Sequence, residues 1–193
     1  MKKQEIKRFE IRLSGLGGQG ILTLGKIMGQ ALAIEHGLNV TQTQSYGPEA
    51  RGGASRSDLV ISGSRISYPK TINLDILVAL SQEACNQYFR NLKSEGKLVV
   101  DTSLVSQTPT NSYWGLPFTE LARDKIGLVQ TTNIVTLGAL THFLPFMQAA
   151  AVKRSLKATL PEKILKINEK AFNLGLNQAK KQYPNAGQSW TSF

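Results

Sequence analysis

The sequence predicts an α/β protein, a three-layer sandwich with a mainly parallel, Rossmann-like sheet, an antiparallel edge hairpin and a helical C-terminal part. Three observations lead to this class. Strand patterns alternate with helical patterns through most of the chain, a glycine-rich turn joins the first strand to the first helix, and helical patterns alone fill the last part. Because no change in composition marks a boundary, we expect residues 1–193 to form a single domain.

The first unit is a strand, a glycine turn and a helix. Apolar and charged residues alternate from Phe9 to Leu13, which is the period of a strand that ends near Ser14. Apolar residues then recur at helical spacing from Ile21, and His36-Gly37 supplies the residues expected where a helix ends.

A second strand and a hairpin are predicted next. The strand covers Asn39 to Gln44 and leads into a polar loop, Ser45 to Ser55, that is too rich in glycine and proline for regular structure. Asp58 to Ser62 and Arg65 to Tyr68, separated by Gly63-Ser64, resemble the two strands of an antiparallel hairpin at the sheet edge.

The rest of the chain repeats strand and helix patterns and then turns helical. Two apolar runs predict buried strands, and Asn133 and Pro161 mark the starts of late helices. The predicted elements are a strand over Asp75–Leu80, a helix from Ser81 to about Lys93, a strand over Lys97–Asp101, an irregular stretch over Thr102–Trp114, a helix over Phe118–Ile126, a short strand over Leu128–Thr131, and helices beyond Asn133.

Composition excludes several classes of site. The only cysteine is Cys85, so the chain alone cannot form a disulfide or supply the roughly four thiolates of an iron-sulfur cluster. Two histidines make a dedicated zinc site improbable. Since no apolar run is long enough to span a bilayer and the first residues do not resemble a signal peptide, we expect a cytoplasmic protein without membrane contact.

The formal charge of +10 favours anionic partners. Many of the cations lie late in the chain, on helical patterns without aromatic interleaving or a recognisable nucleic-acid module. We interpret them as a solvated basic face and expect no nucleic-acid partner.

The sequence GLGGQG, Gly15 to Gly20, follows a strand and precedes a helix, which is the context in which G-x-G-x-x-G binds phosphates. A dinucleotide site would also need an acidic residue at the end of the second strand, but that strand ends in Thr43-Gln44-Ser45. A phosphate or coenzyme cradle and a purely structural tight turn therefore remain the main alternatives.

Arg51-Gly52-Gly53 places a guanidinium beside two glycines, a combination suited to binding a phosphate or carboxylate. The alternative is an arginine paired with Glu49 or Asp58 in an ordinary turn. We favour binding, because this loop should lie on the same sheet edge as the glycine turn. The candidate cofactor-binding residues are Gly17, Gly18, Gln19, Gly20, Arg51, Gly52 and Gly53.

No catalytic or metal-binding residues are predicted. Asp101 ends a strand, but an aspartate followed by Thr102-Ser103 is typical of a turn cap. Cys85 has no activating neighbour and is expected to be a small buried residue.

Four segments together resemble the gamma subunit of 2-oxoacid:ferredoxin oxidoreductases, in the right order and over nearly the whole chain. They are GLGGQGILTLGKIMGQA at Gly15–Ala31, QSYGPEARGGASRSDLVIS at Gln44–Ser62, NIVTLGAL at Asn133–Leu140 and NEKAFNLG at Asn168–Gly175. Within that family, the SYGPEARGG segment is most similar to the 2-oxoglutarate branch, with the pyruvate and branched-chain enzymes as close alternatives.

The resemblance implies a complex that decarboxylates a 2-oxoacid, transfers the acyl group to coenzyme A and passes two electrons to ferredoxin or flavodoxin. It implies alpha, beta and ferredoxin-like delta partner subunits, which hold thiamine diphosphate, Mg and iron-sulfur clusters. For this chain, one hypothesis is that the two glycine loops cradle coenzyme A phosphates. The competing hypothesis is a scaffold that only positions other subunits.

Overall fold

The computed structural model describes residues 6–45, 54–188 and 190. Six strands form one mixed sheet among these residues: β1 (Phe9–Gly15), β2 (Asn39–Ser45), β3 (Ser55–Ser62), β4 (Leu74–Ala79), β5 (Leu92–Asp101) and β6 (Tyr113–Leu116). Their order across the sheet is β2-β3-β1-β4-β5-β6.

Helices connect the strands and fill the C-terminal part. They are α1 (Ile21–Gln30, continued by a π-turn over Ala31–Glu35), α2 (Gln82–Tyr88), α3 (Phe118–Leu121, continued over Ala122–Ile126), α4 (Thr132–Phe143), α5 (Ala149–Thr159) and α6 (Glu162–Gln182). Within the described ranges, no helix combines the length and apolar character needed to cross a bilayer.

The sheet is mainly parallel. β1, β4, β5 and β6 pair in parallel, whereas β3 is antiparallel to both of its neighbours, β1 and β2. β2 consequently runs in the same direction as β1, and β3 alone of the described strands is reversed. The antiparallel pair expected at the sheet edge therefore exists, but β2 and β3 form it.

Helices cover both faces of the sheet unequally. On β4, Ile76 and Val78 belong to a large core that includes side chains of α1, α4, α5 and α6. Leu77 and Ala79 point to the opposite face and pack into a smaller core with Ala84, Cys85 and Tyr88 of α2. These three layers confirm the predicted sandwich.

The predicted hairpin of Asp58–Ser62 with Arg65–Tyr68 is wrong. Ser55–Ser62 is one continuous strand, and residues 65–68 contain no strand. The Arg8 side chain donates to the Tyr68 carbonyl at the end of the second segment at 2.9 Å, and to the Lys70 carbonyl just beyond it at 2.8 Å. The second segment is therefore part of a connection held by a side chain from before β1.

Three further predictions are wrong in detail. Val129–Thr131 is a 3₁₀ turn where a short strand was expected. β5 begins at Leu92, so the preceding helix ends earlier than Lys93. β6 begins at Tyr113, within the last two residues of the stretch that was expected to be irregular. Its Trp114 stacks on Phe143 at a centroid distance of 4.6 Å, a long-range contact that a local pattern cannot reveal.

α4 and α6 pack closely because each presents a glycine at the crossing. A Cβ atom at Gly138 would collide with the Phe172 carbonyl of α6, and one at Gly175 with the Val135 carbonyl of α4. This approach buries nearly every residue of α4, including Thr136 and Leu137. α4 is thereby held as a rigid support beneath the sheet.

Replacing Gly175 by alanine should lower the free energy of unfolding by about 1–3 kcal/mol, because the added methyl group forces α4 and α6 apart. Gly29→Ala is the matched control: it is also a helical glycine, but its Cβ would lie 3.5 Å from Leu59 Cδ2, an ordinary contact. It should leave stability unchanged or raise it by up to about 1 kcal/mol. Urea denaturation followed by circular dichroism measures both, and equal effects would contradict the packing account.

Candidate functional site

The glycine turn lies at the carboxyl edge of the sheet, between β1 and α1. Gly18 and Gly20 have φ values of +86° and +70°, a left-handed conformation that disfavours side chains with a Cβ. Gly20 is the N-cap of α1, and its carbonyl accepts the first helical hydrogen bond from Leu24 N at 2.9 Å. Glycine is therefore required at these two positions by backbone geometry.

Gln19 holds the turn together. Its Oε1 accepts a hydrogen bond from Leu16 N at 2.6 Å, and its Nε2 donates to the Leu80 carbonyl at 3.0 Å. The side chain thus ties the turn to the residue that follows β4. The Gln19 amide therefore stabilises the conformation of the turn. Contact of Gln19 with a cofactor remains a prediction.

The outer side of the turn is open. A Cβ at Gly17 or Gly18 would meet no atom of the described residues within 4 Å, which leaves the backbone accessible to a ligand on this side. The N-terminus of α1 lies directly behind this space and contributes a partial positive charge. The turn therefore has the room and the polarity of an anion site.

A second helix N-terminus meets the same turn. Asn133, in the first turn of α4, donates from Nδ2 to the Gly20 carbonyl at 3.1 Å, and its buried Oδ1 has no hydrogen-bond partner among the described residues. Asn133 was expected to cap α4, but the N-cap is Thr131. Its contact joins the positive ends of α1 and α4, which local sequence reasoning missed.

The second predicted loop is described only at its ends. Arg51, Gly52 and Gly53 lie outside the described residues. Ser45, where β2 ends, pairs with Arg56, and Ser55, where β3 begins, pairs with Gly15. Both ends of the second loop therefore lie at the sheet edge that carries the glycine turn, as predicted.

A basic cleft of about 750 Å³ lies on the face covered by α2. Its floor is the sheet, and its walls are the end of β2, the connection after β3, and the end of α2. The lining residues are Arg12, Thr43, Gln44, Ser45, Arg56, Asp58, Lys70, Thr71, Gln87, Tyr88, Arg90 and Asn91. Sequence reasoning did not predict this cleft.

The floor of the basic cleft is built on a buried ion pair. Arg12 on β1 and Asp58 on β3 are directly opposite in the strand register and form two hydrogen bonds of 2.7 and 2.8 Å. Thr71 donates to the same carboxylate at 2.9 Å. Because Arg12 binds both oxygens, Asp58 already has a strong cationic partner, which weakens the alternative that it serves as the partner of Arg51.

Tyr88 organises one wall of the basic cleft. The guanidinium carbons of Arg12 and Arg56 lie 4.8 and 5.8 Å from the centre of its ring, and its hydroxyl donates to the Ala54 carbonyl at 3.1 Å. Burial raises the pKa of this phenol, although Arg56 and Arg12 act in the opposite direction. Tyr88 is therefore a neutral hydrogen-bond donor that fixes the start of β3.

The remaining sequence candidates have structural roles. Asp101 is fully buried and accepts hydrogen bonds from Ser103 N at 3.0 Å and from Thr119 N at 3.0 Å, which confirms the predicted turn cap. Cys85 is buried, and burial raises the pKa of its thiol. No group of three or more potential metal ligands occurs within the described ranges.

Asp58→Asn should lower the free energy of unfolding by about 3–5 kcal/mol, because it leaves the Arg12 charge buried without a counter-charge. The double variant Arg12→Met with Asp58→Leu should recover most of this loss. Asp124→Asn is a matched control, since Asp124 pairs with Arg123 at the surface and should matter little. Chemical denaturation measures the free energy of unfolding of each variant. Similar small losses for Asp58→Asn and Asp124→Asn would show that the buried ion pair does not stabilise the fold.

Comparison with known families identifies the chain. The family model described as pyruvate ferredoxin/flavodoxin oxidoreductase matches residues 10–178. The 2-oxoglutarate synthase subunit KorC of Methanocaldococcus jannaschii is 43% identical, with 93% of this chain and 99% of the relative covered. A ketoisovalerate oxidoreductase subunit VorA of Methanothermobacter thermautotrophicus is 31% identical, over 91% of this chain but 37% of the relative.

Solved structures agree with this assignment. The gamma subunit of a keto/oxoacid ferredoxin oxidoreductase from Geobacter sulfurreducens superposes with a TM-score of 0.80 at 38% identity, covering 90% of this chain and 99% of that one. A 2-oxoglutarate:ferredoxin oxidoreductase from Magnetococcus marinus, with 2-oxoglutarate, coenzyme A and succinyl-CoA bound, gives 0.80 at 25% identity, covering 92% and 32%. The chain therefore belongs to the pyruvate ferredoxin/flavodoxin oxidoreductase family, as a gamma-type subunit most similar to those of the 2-oxoglutarate branch.

Proposed function

We propose that this chain is the gamma subunit of a cytoplasmic 2-oxoglutarate:ferredoxin or flavodoxin oxidoreductase. The complex would convert 2-oxoglutarate and coenzyme A into succinyl-CoA and CO2 and pass two electrons to its acceptor. The observation that carries this proposal is the 43% identity to a 2-oxoglutarate synthase subunit over 99% of that subunit's length. The match to ketoisovalerate oxidoreductase is weaker, at 31%.

The redox chemistry belongs to partner subunits in this proposal. The sequence has a single cysteine, whereas an iron-sulfur cluster takes about four thiolates. That cysteine, Cys85, is buried against β4 with a raised pKa, which disfavours the thiolate that ligates a metal. Alpha, beta and delta subunits would hold the iron-sulfur clusters, thiamine diphosphate and Mg.

This chain's own contribution is a cradle for the phosphates of coenzyme A. The open side of Gly17 and Gly18 lies at the N-terminus of α1, and Asn133 brings the N-terminus of α4 to the same turn. Two helix ends favour a negatively charged group more than one does. Arg51, with Gly52 and Gly53, would add a bidentate cation from the neighbouring loop.

The main alternative is a scaffold subunit that contacts no substrate. Its support is Gln19, whose side chain satisfies groups inside the turn as a structural residue would. A dinucleotide site has less support, because β2 ends in Thr43-Gln44-Ser45 and offers no carboxylate for a ribose. Pyruvate and branched-chain oxoacids are the alternative substrates.

Viologen reduction by the purified complex tests the substrate. With coenzyme A present, 2-oxoglutarate should give a kcat/KM at least about tenfold higher than pyruvate or 2-oxoisovalerate, the range that pocket fit supplies. A higher kcat/KM for pyruvate or 2-oxoisovalerate would identify that oxoacid as the substrate in place of 2-oxoglutarate. Reduction that does not require coenzyme A would argue against acyl transfer to it.

Calorimetric titration of coenzyme A into the assembled complex tests the cradle. Arg51→Ala should raise Kd about tenfold or more, since a hydrogen bond to a charged group contributes about 1.5–3 kcal/mol. Arg65→Ala is the control, because Arg65 is an exposed arginine on another connection. An unchanged Kd for Arg51→Ala, with the complex intact by size-exclusion chromatography, would favour the scaffold.

A further inference from the structure

We propose that the basic cleft binds an extended acidic segment of a neighbouring subunit. This inference rests on the assignment of the chain as a subunit of a complex, and it concerns a surface separate from the glycine turn. The cleft is lined by four cationic side chains and one carboxylate, and the carboxylate, Asp58, is bound by Arg12. Arg56, Lys70 and Arg90 are left as the positive charges of its rim.

The three rim cations have no carboxylate partner within the described part of the chain. Lys70 and Arg90 are exposed, whereas Arg56 is half-buried and held beside the Tyr88 ring. Exposed basic side chains normally move freely and lose entropy when they bind. The ring reduces that loss for Arg56, so its charge is held in place before any partner arrives.

The charges lie on separate walls of the cleft, which favours a partner segment with several charges. Arg56 lies at the carboxyl edge, opposite Ser14 and Ser45. Lys70 lies beside Asp58, because the next residue, Thr71, donates to the Asp58 carboxylate at 2.9 Å. At roughly 3.3 Å of rise per strand residue, Asp58 is roughly 7 Å from Arg56 along β3. Arg90 adds a third charge just after α2, so an extended segment with several carboxylates matches the cleft better than a single phosphate does.

A protein segment also fits the remaining lining. Gln44, Gln87 and Asn91 carry amide groups that can bind the peptide groups of an extended chain. A second copy of this chain is a poor occupant, because each copy carries a formal charge of +10. The partner is therefore an acidic stretch of another subunit.

The test uses the whole complex, purified through a tag on another subunit, with retention of this chain measured as NaCl is increased. The triple variant Arg56→Glu, Lys70→Glu, Arg90→Glu should dissociate at a lower salt concentration, with at least tenfold weaker association at a fixed salt concentration. The control is Lys163→Glu, Lys166→Glu, Lys170→Glu, which makes the same charge change at exposed positions on α6. It should behave like the wild type.

Arg90→Gln is a second variant that should fold normally, because Arg90 is exposed and glutamine only removes its charge. It should lower the NaCl concentration at which half of this chain is released, by less than the triple variant does. Wild-type retention of the triple cleft variant, or equal loss in both triple variants, would overturn the proposal. Normal retention with weaker coenzyme A binding would also overturn it, in favour of a phosphorylated ligand. Activity of the wild-type complex with 2-oxoglutarate tests the proposed function separately.

Discussion

The pairing of β1 with the reversed strand β3 is the constraint on which the rest of the molecule depends. Arg12 and Asp58 face each other across this pair in a bidentate contact of 2.7 and 2.8 Å, with the apolar residues Leu13 and Leu59 on the opposite face. A shift of one residue would bury charges in the large core and break the ion pair. The register is therefore specified twice, by burial and by charge.

This register also sets the geometry of the sheet edge that carries the glycine turn. Because Ser55 pairs with Gly15, the chain returns from its second loop directly beside the glycine turn. The opposite side of the turn is fixed by Asn133, more than a hundred residues away in sequence, on a helix held by its glycine contact with α6. The shape of the proposed cradle at the turn thus depends on a rigid support, as preorganised sites require.

Sequence patterns predicted the parts of this structure that depend on local periodicity. β1, the glycine turn and the mainly parallel sheet were all predictable, because burial imposes a period on each strand and helix. The connection over residues 65–68 was mistaken for a strand, since the Arg8 side chain that binds it comes from much earlier in the chain. Likewise, the alternating pattern of β1 predicted that Arg12 lies on the face opposite Leu13. Its pairing with Asp58 could not be predicted, because it depends on β3 lying antiparallel beside β1.

The cations of the basic cleft carry a cost that the rest of the fold does not offset. Arg56, Lys70 and Arg90 form no ion pair within the described residues. Like charges held close together destabilise a folded chain by mutual repulsion. An acidic partner segment, as proposed for this cleft, would remove that repulsion on binding. Complementary charge would also speed the association and select against basic or neutral partners.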